Sequence, residues 1–178
     1  MKRLKYILLF ILLCVIANSF EQESPLSVNF VPNGGFYASG TIVKIESLPE
    51  AKIFYTTDGS EPNSSSKRYR EPIIVEEVSV IRAVAYAAGK RSPVFTESYF
   101  CDRNYTLPVI SIATNPNNLW DYSTGIYVKG CCADTIEPYV GANFWKDWEK
   151  RANIEMYEAD GERCFNQIAG INLFGGFS

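Results

Sequence analysis

The segment Tyr55-Thr56-Thr57-Asp58-Gly59-Ser60-Glu61-Pro62 decides the fold predicted for the first half of the chain. The strand pattern at 52–57 leads into Asp58-Gly59, a dipeptide that tolerates the positive φ of a tight turn. Pro62 cannot donate a hydrogen bond to a sheet, and a polar loop at 60–68 precedes a second apolar run at 72–75. The segment therefore predicts one corner of an antiparallel sheet.

Further short segments on both sides of this corner also have strand patterns, with turn residues between them roughly every ten positions. In the longest of them, residues 78–87, Ile81, Ala83 and Ala85 share one face. Small side chains on an inward face let two sheets approach closely, so we predict an immunoglobulin-like β-sandwich over residues 28–101. The remaining strand candidates are 28–31, 41–46, 51–57 and 94–100.

The pattern changes after a short polar joint at 102–106. Residues 107–112 are almost continuously apolar, which predicts a strand buried on both faces. Asn115-Pro116 predicts the N-cap and first residue of a short helix that ends near Trp120, and 125–128 is expected to be extended. Strands are predicted at 151–158, 163–167 and 168–174, with a hairpin turn at 159–161. We interpret residues 107–178 as the incomplete start of a larger β-rich (α+β) domain.

Residues 1–19 have the pattern of a cleaved export signal. Lys2, Arg3 and Lys5 precede the apolar run 6–16, and Ala17-Asn18-Ser19 places small residues where a signal peptidase reads. The run of about 11 residues is shorter than the roughly 20 that span a bilayer. Two alternatives stay open: a retained anchor, and a lipoprotein modified at Cys14, which Leu13 disfavours.

We therefore expect an exported protein, located in the periplasm, at the cell surface or outside the cell. Residues 20–27 are the predicted linker, and no stable membrane span is expected after cleavage. Removal of the signal takes away three basic residues and leaves 14 basic against 20 acidic side chains, a formal charge of −6. This charge disfavours nucleic acid as a partner.

Four cysteines lie outside the signal: Cys101, Cys131, Cys132 and Cys164. Export permits disulfides, and four cysteines allow three pairings. A bridge between the neighbours Cys131 and Cys132 would need a strained ring, so we favour Cys101 or Cys164 paired with one of them. Free thiols are the alternative. A metal site is disfavoured because the spacing contains no C-x₂-C unit and the chain has no histidine.

Aromatic side chains in both halves are candidates for stacking on sugar rings, because their flat faces are apolar. The alternative for each is burial in a packed core. The absence of histidine excludes a Ser-His-Asp triad, and Asp147 with Glu149 is interpreted as a solvated pair. The candidate stacking residues are Tyr37, Tyr55, Tyr69, Trp145 and Trp148.

The corner segment 55–62 resembles the YTTDGSEP signature of chitobiase/hexosaminidase C-terminal-type modules. These are small β-sandwiches attached to secreted polysaccharide-active or surface proteins. The resemblance implies polysaccharide or surface proteins as partners, and it specifies a module more closely than it specifies a chemistry.

The second half resembles the start of the CotH family, which comprises spore-coat-associated atypical protein kinases and their secreted relatives. The resemblance implies ATP and magnesium as cofactors of a complete domain. In the family, the phosphate-binding lysine and metal-binding acids follow the Gly-Gly-Phe-Ser phrase found here at 175–178, so no catalytic residue, cofactor site or metal ligand is predicted within this chain. The matching phrases are 107–112, 118–121, 124–128, 143–149 and 170–178.

Two functions follow as expectations. The first is the N-terminal part of an exported, surface-associated CotH-like protein that is inert as a kinase in this form. The alternative is a non-catalytic β-sandwich module that binds carbohydrate or acts as a spacer in a secreted, polysaccharide-associated protein.

Overall fold

A computed structural model describes residues 25–174, and the described chain is mainly β. Its two short helical segments are α1 (Pro116–Trp120) and a 3-10 turn (Asn143–Trp145). The strands are β1 (Asn29–Val31), β2 (Gly35–Tyr37), β3 (Thr41–Glu46), β4 (Lys52–Thr56), β5 (Lys67–Arg68), β6 (Ile73–Val75), β7 (Ser79–Ala87), β8 (Lys90–Arg91), β9 (Phe95–Cys101), β10 (Val109–Thr114), β11 (Lys150–Tyr157) and β12 (Arg163–Ile171).

The first nine strands form two sheets that pack face to face. The first sheet has the order β1-β3-β6, and the second has the order β2-β9-β7-β4-β5, with β8 paired to β7. Alternate residues of each sheet meet in one apolar core, in which Ile81, Ala83 and Ala85 are fully buried. The predicted β-sandwich is therefore confirmed, as is the inward face of β7. Other core residues are Val28, Phe30, Val43, Ile45, Ile53, Tyr55, Val75, Tyr99 and Cys101.

The corner that decided the prediction has the expected geometry. Gly59 adopts a φ of 81°, a value that favours glycine, and the Asp58 carboxylate accepts a hydrogen bond from the Ser60 backbone N–H at 2.9 Å. Hydrogen bonds from the Ser60 side chain and backbone hold the pKa of Asp58 below its usual range. Beyond the loop, β5 returns antiparallel to β4, with Tyr55 opposite Lys67.

The second half forms a third sheet, in which β10, β11 and β12 are antiparallel neighbours. The third sheet covers the face of the second sheet that points away from the sandwich core. The Ser98 hydroxyl of β9 lies 2.7 Å from the Ser111 hydroxyl of β10, and every residue of β9 from Thr96 to Cys101 is buried. The second sheet is therefore the middle of three layers.

The prediction that residues 107–112 are buried on both faces is wrong. Ile110 and Ile112 are 61% and 57% exposed, because β10 is an edge strand with only one face against the sandwich. Residues 163–171 also form one strand rather than two, and 125–128 is a turn rather than an extended segment. The Asn115 cap is confirmed, since its side chain accepts a 3.0 Å hydrogen bond from the Asn117 N–H.

The predicted export signal, the cleavage site and Cys14 lie outside the described residues, as does the glycine pair at 175–176. Within residues 25–174, no helix combines the length and apolarity required to cross a membrane.

Candidate functional site

Five polar side chains meet where the third sheet packs on the second, and we call them the junction cluster. They are Glu97 and Ser98 of β9, Glu155 and Tyr157 of β11, and Arg163 of β12. Glu155 and Tyr157 are 0% exposed. Alternation along β11 places this acid and this phenol toward the sandwich, while Ile154 and Met156 occupy the opposite face.

Each buried group in the junction cluster has a hydrogen-bond partner. The Tyr157 hydroxyl donates to Glu155 Oε1 at 2.6 Å, and the Ser98 hydroxyl donates to Glu155 Oε2. Arg163 Nη1 forms an ion pair with Glu97 and lies 3.7 Å from Glu155 Oε1. The Gly34 backbone N–H donates to the second carboxylate, on Glu97. These bonds offset the cost of removing two carboxylates from water.

Aromatic rings close the cluster on one side. The ring of Tyr157 lies 5.4 Å from that of Phe100 and 5.9 Å from that of Phe36, centroid to centroid. Tyr105 packs on Phe36 at 5.1 Å. A carboxylate that acts on a substrate must be reachable by it, and Glu155 is enclosed by protein. The junction cluster therefore joins the two halves of the chain and does not form a catalytic acid/base pair.

The junction cluster contains one arginine and two glutamates, so its acidic groups outnumber its basic groups. Burial raises the pKa of Glu97, and the Gly34 N–H and the Arg163 guanidinium only partly oppose that rise. Burial likewise raises the pKa of Tyr157, with the hydrogen bond to Glu155 acting in the same direction. At neutral pH Tyr157 therefore stays a neutral hydrogen-bond donor.

The raised pKa of Glu97 predicts a pH dependence of stability. Above the ordinary value of 4.5, the folded chain retains a proton that the unfolded chain has lost. Stability contributed by this proton is full below that value and is lost as the pH rises through the folded pKa of Glu97. We expect urea unfolding at a series of pH values from 4 upward to show this decline, and Glu97→Gln to remove it. An unchanged decline in the variant would contradict the assignment.

Beside the junction cluster lies an open groove of about 410 Å³ between the sandwich and the third sheet. Its lining includes Asn29 of β1, Asn153 of β11 and Asn166 of β12, together with the half-buried Phe95. The amide side chain of Asn29 is exposed and forms no hydrogen bond to another described residue, and Asn166 Nδ2 donates to the Thr96 carbonyl at 2.9 Å. A free amide can form a hydrogen bond with a sugar hydroxyl, and a neighbouring aromatic ring can contact the apolar face of the sugar. The groove is lined by Val28, Asn29, Phe30, Pro93, Val94, Phe95, Thr96, Glu97, Asn153, Asn166, Gln167 and Ile168.

The sandwich tyrosines predicted to stack on sugars lie in or against the core. Tyr55 is buried, so its ring faces are covered by protein. Tyr37 and Tyr69 are partly buried against the same core, and the Tyr37 hydroxyl donates to the Asn33 carbonyl at 2.7 Å. These three tyrosines therefore do not form an aromatic platform.

The two predicted tryptophans lie in the loop before β11. Trp145 is exposed, and its indole N–H donates to the Pro138 carbonyl at 2.6 Å. Trp148 is half-buried, with the Lys146 and Lys150 ammonium groups 4.4 and 5.3 Å from its ring centroid. The lysines compete with a sugar for its faces.

Sequence reasoning missed an exposed aromatic pair and the groove. The rings of Trp120 and Tyr127 are 5.1 Å apart, and both side chains are more than half exposed. Trp120 ends the short helix predicted from the sequence, and a tryptophan there without a predicted packing partner is a usable signal. The groove has no sequence signal, because its walls come from segments more than 100 residues apart in the chain.

The four cysteines are free in the structure. Cys101 is buried in the sandwich core, where its thiol donates to the Val75 carbonyl at 3.5 Å. Cys131 and Cys132 bring their sulfur atoms to 3.0 Å, and the Cys164 thiol lies against Glu158. The structure thus brings the adjacent pair together and places neither Cys101 nor Cys164 against it.

The fold and the groove define a β-sandwich module with a candidate binding surface beside the junction cluster. Residues 32–96 match the family of the Chitobiase/beta-hexosaminidase C-terminal domain, which confirms the resemblance of the corner segment. The match suggests a non-catalytic, carbohydrate-associated module. It ends before the third sheet, so the CotH-like resemblance stays a prediction. The comparison with curated proteins gives no match.

Proposed function

We propose that this chain is a non-catalytic carbohydrate-binding module of an exported, surface-associated protein. The observation that carries the proposal is the groove between the sandwich and the third sheet. The family match over residues 32–96 supports the carbohydrate association, and the pattern of residues 1–19 supports export. Asn29 binds a hydroxyl group from the sandwich wall, while the half-buried ring of Phe95 contacts the apolar face of a sugar ring.

A glycan array followed by isothermal titration with the full chain tests this proposal. We expect selective, saturable binding to a polysaccharide fragment, weakened about threefold by Asn29→Ala, since one hydrogen bond of about 0.7 kcal/mol is lost. Asn117→Ala is the matched control, because this exposed amide lies on α1 and does not line the groove. A flat array would favour the spacer function instead.

The CotH-like resemblance carries a second candidate, in which the third sheet begins a larger domain. The outer face of the third sheet favours it: Ile110 lies opposite Met156, and Ile112 lies opposite Ile154, so apolar side chains from neighbouring strands share one surface. A face of this kind is normally covered by further polypeptide.

Even if this second candidate is correct, we expect the chain to show no magnesium-dependent binding of ATP. Within residues 25–174, no group of three or more His, Cys, Asp or Glu side chains is arranged to hold a metal ion. Phosphoryl transfer needs such ligands in place around the nucleotide phosphates. Isothermal titration of ATP with and without magnesium measures this, and tight binding only in the presence of magnesium would contradict it.

A further inference from the structure

A small recess lies next to the groove, and its lining is unusually rich in hydrogen-bond donors. Its volume is about 10 Å³, which is room for one ligand atom of the size of an oxygen. Arg82 of β7, Arg151 and Asn153 of β11, and Glu61 of the corner loop contribute its polar lining. Val94, Thr96, Asn153 and Ile168 line both the recess and the groove, so the two are contiguous.

Two of these donors are buried and have no acceptor among the described residues. Arg82 is 8% exposed, and its Nε–H has no partner, although its Nη1 donates to the Gly59 carbonyl at 2.7 Å. Asn153 is 6% exposed, and its Nδ2 has no partner. Buried donors are nearly always paired in native proteins, so two unpaired donors lining one recess indicate a ligand that accepts from both.

The charges around the recess favour an anionic acceptor. Arg82 forms no ion pair with a described residue, and burial lowers its pKa against the smaller opposing effects of Glu61 and Asp58. The Glu61 carboxylate is already held by Arg91 at 3.0 Å and is half exposed. Arg151 adds a second positive charge to the lining. A buried guanidinium without a counter-ion is costly, and an anion in the recess would offset that cost.

We propose that the recess binds one oxygen of a carboxylate, and that the groove thereby selects acidic sugars of the uronic acid class. This inference rests on the proposed carbohydrate function. A planar carboxylate can insert a single oxygen into so narrow a space, where it accepts from Arg82 Nε and Asn153 Nδ2 while the sugar ring stays in the groove. Arg151 at the recess attracts the same charge.

The test is isothermal titration of the full chain at fixed ionic strength with a galacturonic acid trimer, the matching neutral galactose trimer, and acetate alone. We expect the acidic trimer to bind at least tenfold more tightly than the neutral one. Arg151→Gln should weaken binding of the acidic trimer about fivefold and leave binding of the neutral trimer unchanged, because Arg151 lines the recess and not the groove. Arg151 is exposed, so its variant keeps the fold. Arg68→Gln, an exposed arginine on β5 outside the recess, should change neither.

The outcomes separate the two proposals. Equal affinity for the acidic and neutral trimers would overturn the carboxylate site, would indicate that the recess holds water only, and would leave the carbohydrate function standing. Acetate binding as tightly as the acidic trimer would overturn the sugar selection, because the recess would then be a site for small anions. Binding of neither trimer would overturn the selection of uronic acids, and the glycan array then decides the carbohydrate function separately.

Discussion

We expect Arg163→Met to lower the free energy of unfolding by about 3 kcal/mol, the lower end of the range for breaking a buried ion pair. Among residues 25–174, Arg163 is the one cation that contacts both Glu97 and Glu155, so the substitution leaves two buried carboxylates without it. We use the lower end because the Arg163 side chain is 26% exposed, so water already screens part of its interaction with the carboxylates. In a thermal melt the loss corresponds to a fall in Tm of roughly 6–12 °C.

The pH dependence of this loss distinguishes an electrostatic cause from lost packing. Protonation of Glu97 relieves the repulsion, and its pKa is raised, so the destabilisation by Arg163→Met should shrink as the pH falls toward 4.5, the ordinary pKa of a glutamate. Arg91→Met is the matched control, because Arg91 pairs with Glu61 at the surface, where the two side chains are 40% and 54% exposed. That variant should lose less than about 1 kcal/mol. Equal losses for the two variants at all pH values would contradict the junction cluster as a stabilising centre.

The sandwich could be predicted from local patterns because its strands carry their own signals. The corner at Asp58-Gly59, the alternation of β3 and the small residues of β7 each depend on residues close together in sequence. The cap at Asn115 is local in the same sense. These are the elements in which prediction and structure agree.

The third sheet was harder to predict because its orientation depends on distant partners. On β11, a hydrophobicity rule would turn Ile154 and Met156 inward, yet Glu155 and Tyr157 are the buried residues. They can be buried because Ser98, 57 residues earlier in the chain, supplies hydrogen bonds to Glu155. The same docking explains why β10 has one exposed face although its sequence is almost continuously apolar.

The candidate binding residues depend on tertiary packing even more strongly. The sequence shows that Tyr55 is aromatic, but not that its ring lies inside the sandwich. Arg82 shows the opposite difference between sequence and structure. An arginine on an alternating strand is expected at the surface, but the third sheet covers Arg82. Residue type therefore identified candidates for sugar binding, whereas the layer that packs over each strand decides which of them a ligand can reach.

The docking of the third sheet also depends on the absence of one side chain, at Gly34. A Cβ atom at this position would lie 2.6 Å from the Tyr157 hydroxyl, 2.7 Å from Glu97 Oε2 and 2.7 Å from the Ser98 carbonyl oxygen. These distances are well inside van der Waals contact, and the neighbours belong to both sheets of the junction. Gly34 does not have a positive φ, so alanine there meets a steric obstacle and no backbone strain.

We therefore expect Gly34→Ala to destabilise the chain by about 2–3 kcal/mol, the upper part of the range for overpacking a well-packed site. The Ser98 carbonyl is part of β9 and cannot move alone, so the Gly34 backbone must shift away from β9, which weakens the hydrogen bond from Gly34 N–H to Glu97. The Tyr157 hydroxyl must also move away, and with it the packing of the third sheet. Gly170→Ala is the matched control: the three atoms nearest its Cβ all belong to the exposed Glu149 side chain, which can rotate away, so we expect a change within about 0.5 kcal/mol. Urea unfolding of the three proteins measures the difference. If Gly34→Ala were as stable as Gly170→Ala, the third sheet would not be packed against the sandwich as closely as the junction cluster requires.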